Sequence, residues 1–218
     1  MTEQEWLDCA DPMLMLEFLH ERGIRTGRKY RLFVCACSRR WWRQLRDGRS
    51  RKLVEVLEAV ADGLASEDEL LAAREEAEVA WEETKTSRGK NAAAIALDGS
   101  APQFGYCGGA CEAAVGAQKA SRRQKAERAV QCRLLHELIG PLLFHPAALK
   151  VAWLTWGEGA SPKLAQAIYD DRAFDRLPIL ADALEEARCT NRDILGHLRS
   201  PGPHVRGCWV VDLLTERK

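Results

Sequence analysis

Helix-start signals recur along the whole chain while strand signals are nearly absent, and that imbalance restricts the chain to an all-α fold. Thr2 with Glu5 and Ser66 with Glu69 are capping boxes, and Asp11-Pro12 places an N-cap before a proline suited to a first helical turn. No stretch sustains apolar/polar alternation, and no Asn-Gly or Asp-Gly turn sits between β-branched runs. About nine helices are expected, as a multi-helix array or irregular bundle with little or no β structure.

The punctuation divides the chain into four stretches. Residues 1–98 form an N-terminal helical region. Two short helices open it, a third runs from Lys29 to about Arg46, Ser50 caps a fourth ending at Gly63, and Ser66 opens an acidic fifth to about Thr84. From Ser87 the pattern weakens through a short alanine-rich piece, and residues 99–109 read as a glycine-rich loop or hinge. Residues 110–140 read as one long helix stopped by Gly140-Pro141. Residues 141–218 form a C-terminal helical subdomain. It begins with an irregular connector, LLFHPAALKVAWL, and its helices open at Ser161-Pro162, about Asp175, Asn191 and about Val205, the last two separated by SPGP.

Composition narrows the partners. The 218 residues hold 32 basic and 32 acidic side chains, so no global field attracts nucleic acid or an anionic membrane. The opening MTEQEWLDCADPM carries acids where an export signal needs positive charge, and no apolar run reaches membrane-spanning length; a cytoplasmic protein without a membrane partner is expected. Its eight cysteines are then expected to stay reduced, in burial, metal binding or nucleophilic roles.

The strongest chemical signal is the run Cys189, His197, His204, Cys208, spaced C-x7-H-x6-H-x3-C. Thiolate and imidazole are ligands that tetrahedral zinc prefers. Only His204 and Cys208 lie close enough to share a helical face, and this loose spacing favours separate buried cysteines and capping histidines over ligation. Cys35, Cys37, Cys107 and Cys111 could form an all-cysteine site, but two residues two apart on a helix point to different faces. His136-Glu137 is half of an H-E-x-x-H motif whose second histidine is replaced by Gly140, which removes that metalloprotease reading. Cys208/His204 and Cys111/His136 are conceivable thiol dyads without a supporting local signature.

The competing signal is basic. Arg39, Arg40, Arg43, Arg46, Arg49, Arg51 and Lys52, with Trp41 and Trp42 among them, supply the cationic and aromatic groups that phosphate backbones and splayed bases need, and Lys119, Arg122, Arg123, Lys125 and Arg128 could extend the patch. The acidic helix at 67–83 could instead neutralise it within the molecule, and the balanced net charge favours that alternative.

The segments AQAIYDDRAFDRLPILADALEEARC and ILGHLRSPGPHVRGCWVVDLL, with EWLDCADPMLMLEFL and RLFVCACSRRWW nearer the start, resemble an uncharacterised family of bacterial proteins. The likeness covers most of the chain outside roughly 75–130 and implies a helical cytoplasmic protein, without supplying an activity. Ser38 and Leu198 stand where that family often has further cysteines. Together the residues point to a non-catalytic interaction or adaptor protein with a protein partner and a zinc site at its C-terminus as its one cofactor option. A nucleic-acid binder using 39–52, or a metal- or thiol-dependent enzyme at Cys189/His197/His204/Cys208, are the alternatives.

Overall fold

Five of the early helices start where a side chain satisfies an orphan backbone N–H. Thr2 and Ser66 complete their capping boxes, Asp11 accepts from the Met13 N–H, and Thr86 accepts from the Gly89 N–H. These caps open α1 (Glu3–Leu7), α2 (Pro12–Glu21), α5 (Glu67–Glu83) and α6 (Ser87–Gly99), while α3 spans Gly27–Arg40 and α4 Gly48–Ala61. Further along come α7 (Ser121–Ile139), α8 (Val151–Asp171), α9 (Leu177–Glu186), α10 (Arg192–Leu198) and α11 (Trp209–Leu214). In this computed structural model the described residues are 1–23, 27–100, 112–116, 118, 121–145 and 150–217. Among them the fold is all-α, with nine helices of seven residues or more and no strand.

The expected boundaries shift at identifiable places. Asp47 caps α4 in place of Ser50, because Asp47 has extended backbone angles and its carboxylate accepts from the Arg49 N–H; Ser50 is buried inside the first turn. The alanine-rich piece is a helix of 13 residues, since Ala92, Ala93, Ile95 and Ala96 bury one face and packing overrides the weak punctuation. Residues 101–111, which hold most of the expected hinge, lie outside the described residues. Helix α8 starts within the expected connector and breaks at Trp156 to Gly159, where Gly157, Glu158 and Gly159 take positive φ; Ser161-Pro162 then opens its second half as read.

Two compact units result, Met1–Leu135 and His136–Lys218, so the division falls inside α7 and not at Gly140-Pro141. In the first unit α4 packs on α3 and α5, and α6 on α3 and α5. Leu53, Val54, Leu57, Val60 and Ala61 form the buried stripe of α4 at helical spacing, and each fully buried leucine there contributes roughly 2 kcal/mol. In the second unit α8, α9, α10 and α11 enclose a core of Ile168, Tyr169, Leu180, Leu184, Ile194, Leu198, Trp209 and Val210. Arg199, at the end of α10, ties it to α9 through Asp182 at 2.7 Å and Glu185 at 2.6 Å. No helix of the described residues is long and apolar enough to cross a membrane.

Gly140 is the tightest point in this second core. Its φ of +63° is in the left-handed region, and a Cβ there would lie 2.5 to 2.7 Å from the Trp209 ring. Gly140→Ala is therefore expected to destabilise the second unit by about 2–4 kcal/mol in urea unfolding. Gly63→Ala also takes a left-handed position, but with open space around it, and should cost only about 1 kcal/mol.

Candidate metal centre

Four side chains of the second unit bring a ligand atom each to one point: Glu137, His197, His204 and Cys208, all within 4.8 Å of one another. Glu137 projects from the last turns of α7, and His197 from the last turn of α10. His204 belongs to the turn that follows SPGP, and Cys208 is the N-cap residue of α11. Residues 201–208 are not helical, so His204 and Cys208 meet through a folded turn and not through a shared helical face. Gly202, at φ +82°, makes that turn: a Cβ on it would come within 2.6 Å of the His204 backbone nitrogen.

Glu137 Oε2 is the centre of the group, 3.1 Å from both His197 Nε2 and His204 Nδ1. Cys208 Sγ lies 3.2 Å from the same His197 nitrogen. Outer partners hold the set in place. The Val205 N–H donates to Glu137 Oε1 at 3.4 Å, and His204 Nε2 donates to the Ser200 carbonyl at 2.9 Å. The second bond leaves His204 Nδ1 as the inward-facing nitrogen, the arrangement by which metal-binding histidines have tautomer and ring orientation set. The His197 ring also packs edge-on to His204, with centroids 5.2 Å apart.

Burial makes the charges matter. Glu137 is 3% exposed and Cys208 0%. Burial raises the Glu137 carboxyl, but hydrogen bonds from His197 and His204 and their charge outweigh it and hold the group below the usual carboxylate range. For His204, burial disfavours the charged ring, and the bond to Glu137, its charge and the Ser200 carbonyl together raise it. The Cys208 thiol is pushed well up, first by burial and then by the Glu137 charge.

The geometry matches a tetrahedral metal better than a thiol active site. Atoms coordinated to one zinc lie about 3.3–3.6 Å apart, given bonds of about 2.0–2.3 Å; three pairs here are closer, at 3.1–3.2 Å, and the whole group falls within 4.8 Å. A Cys-His-acid triad needs the acid on the imidazole nitrogen opposite the thiol. Here Glu137 and Cys208 face the same nitrogen, and Cys208 has no exposed surface from which to attack a substrate.

Of the four expected ligands, His197, His204 and Cys208 come together and Cys189 does not belong to the group. Cys189 is buried beyond the end of α9, where burial raises its thiol and the Asn191 backbone hydrogen-bonds it. Glu137 takes the fourth place, and sequence reasoning passed over it. Its one signal in the sequence is His136-Glu137, half of a motif that needs a second histidine at position 140, where Gly140 stands. Cys208 pairs with His197, not with the His204 of the expected dyad. Cys35 and Cys37 are buried core residues of α3, while Cys107 and Cys111 lie outside the described residues, as does Lys119.

The basic segment divides in two. Arg39 grips the buried Glu58 carboxylate at 3.1 and 2.6 Å, Arg40 reaches Glu127 at 3.1 Å, and Arg49 binds Asp47 at 2.9 Å and also Glu83. The acidic helix α5 thus supplies Glu83 to Arg49 and Glu67 to Arg31, while Glu58 comes from α4, Asp47 from the N-cap before it and Glu127 from α7. Trp42 has the Arg39 guanidinium 4.2 Å and the Arg51 guanidinium 5.3 Å from its ring centre. Arg43 and Arg46 remain exposed with no acidic partner among the described residues.

No protein-family model, curated protein or solved structure matches this chain.

Removing the central carboxylate tests how far the group holds its unit together. Glu137→Ala strands the inward faces of both histidines and the Val205 N–H, and should lower the unfolding free energy of the second unit by roughly 2–3 kcal/mol. Cys189→Ser, outside the group, should leave the Glu137 contacts intact, so its loss in calorimetry should be the smaller of the two.

Proposed function

We propose that Glu137, His197, His204 and Cys208 bind one zinc ion that pins the C-terminal helices, and that the chain is a non-catalytic helical protein that works through a protein partner. The observation that carries the metal reading is the convergence of one carboxylate, two imidazoles and one thiol within 4.8 Å, with outer hydrogen bonds already orienting Glu137 and His204. Two borderline nitrogens, one sulfur and one oxygen are a donor set that zinc accepts. Four protein ligands fill a tetrahedron, so no coordination position is left for substrate and the role is structural. An ion there would join the end of α7, the end of α10 and the start of α11, elements that short hydrophobic contacts alone hold less firmly.

The non-catalytic reading is supported by what the site is unsuited to do. The thiol is enclosed and held in its neutral form, and the acid and thiol share one imidazole nitrogen. Ligation converts Cys208 to thiolate, so metal affinity should fall as pH is lowered.

Metal content measured by plasma mass spectrometry, on protein purified without an affinity-metal step, tests the reading. About one zinc per chain is expected in the native protein and in Cys189→Ser, with little in Glu137→Ala, His204→Ala or Cys208→Ser. Chelation should lower Tm by several degrees. Cobalt substitution should add a thiolate charge-transfer band that Cys208→Ser abolishes. If the native protein holds no metal and added zinc shifts neither Tm nor the cobalt spectrum, the four residues are a hydrogen-bonded packing cluster and the metal reading falls.

A further inference from the structure

The first unit contains a cavity of about 460 Å³ beside the turn between α3 and α4, a volume in the range that small-molecule sites occupy. Arg43, Arg46 and Lys85 all belong to its wall, the first two from that turn and the third from the connection between α5 and α6. Each is exposed and has no acidic partner among the described residues. That sets them apart from Arg39, Arg40 and Arg49, whose charges are taken up by Glu58, Glu127, Asp47 and Glu83. The one acid in the wall, Asp47, is already engaged by the Arg49 side chain and backbone N–H. The cavity therefore concentrates positive charge that the fold leaves uncompensated.

Neutral hydrogen-bonding groups accompany the cations. Thr86 is in the wall and keeps a hydroxyl hydrogen to donate after accepting from the Gly89 N–H, and the Gln44 side chain lines the same wall. The first turns of α4 and α6 both border the cavity through Ser50 and Gly89, adding the positive ends of two helix dipoles.

We propose that this cavity binds the phosphate groups of a small phosphorylated ligand, through Arg43, Arg46 and Lys85. Cations from two separate connections converge on a concave site, which suits a compact polyanion. A nucleic-acid strand would draw on an open aromatic face, but of the two aromatics of this segment Trp41 is buried and Trp42 already has guanidinium groups of Arg39 and Arg51 over its ring.

Isothermal titration calorimetry of the full chain with pyrophosphate tests the proposal. The variants are Arg43→Gln with Arg46→Gln, and separately Lys85→Gln, so that two independent alterations probe the site; Arg123→Gln on α7 is the control. Binding of one pyrophosphate per chain is expected, weakened about tenfold or more in the double variant, severalfold in Lys85→Gln, and unchanged in the control. Dependence on these residues separates the cavity from chelation of any metal elsewhere. Absence of pyrophosphate binding at millimolar concentration, or equal binding by all variants, overturns the proposal. So does tight binding of a short oligothymidine strand that pyrophosphate fails to displace, since that outcome makes the face a nucleic-acid surface.

Discussion

A carboxylate taken out of water must be met by donors or positive charge, and the second unit is arranged around that demand at Glu137. Desolvation alone would drive the group to its neutral form. Two imidazoles at 3.1 Å and a backbone N–H at 3.4 Å reverse that preference. Meeting it places an end of α7, an end of α10 and the turn before α11 at one point. The Leu180, Leu184, Leu198 and Trp209 core supplies most of the apolar burial, while the polar group specifies which helix ends meet.

The same rule organises the first unit with opposite emphasis. Buried Glu58 and Glu127 are each matched by an arginine of α3, and the segment that carries so many guanidiniums is largely bound to its own molecule. Partly buried pairs of this kind contribute little net free energy, but losing one member leaves an uncompensated charge, so they act more on register between helices than on total stability. Arg43 and Arg46, left without an acidic partner among the described residues, line one cavity together with Lys85, so positive charge gathers there locally although the net charge is zero.

Close approach of backbone to side chain sets the remaining geometry. Gly140 lets the chain turn directly under Trp209, and Gly202 lets it turn onto His204. Both take positive φ, where a side chain would be strained before any clash is counted. Each lies beside a candidate ligand in sequence, Gly140 just after Glu137 and Gly202 just before His204, so the shape of the site depends on backbone freedom at two positions that contribute no ligand.

The sequence by itself determined that the chain is helical and where most helices begin, because caps and apolar periodicity act over three or four residues. Thr2 with Glu5, Asp11-Pro12, Ser66 with Glu69, and Asn191 all mark starts that the structure keeps. Three of the four converging ligands were legible from their chemistry alone. Tertiary structure decided the rest: Glu137 over Cys189, His197 as the partner of Cys208, the helix at Ser87–Gly99, and which arginines are neutralised. Each of these depends on groups tens of residues apart meeting in a low-dielectric interior, where desolvation makes pairing obligatory, and spacing along the chain does not encode that encounter.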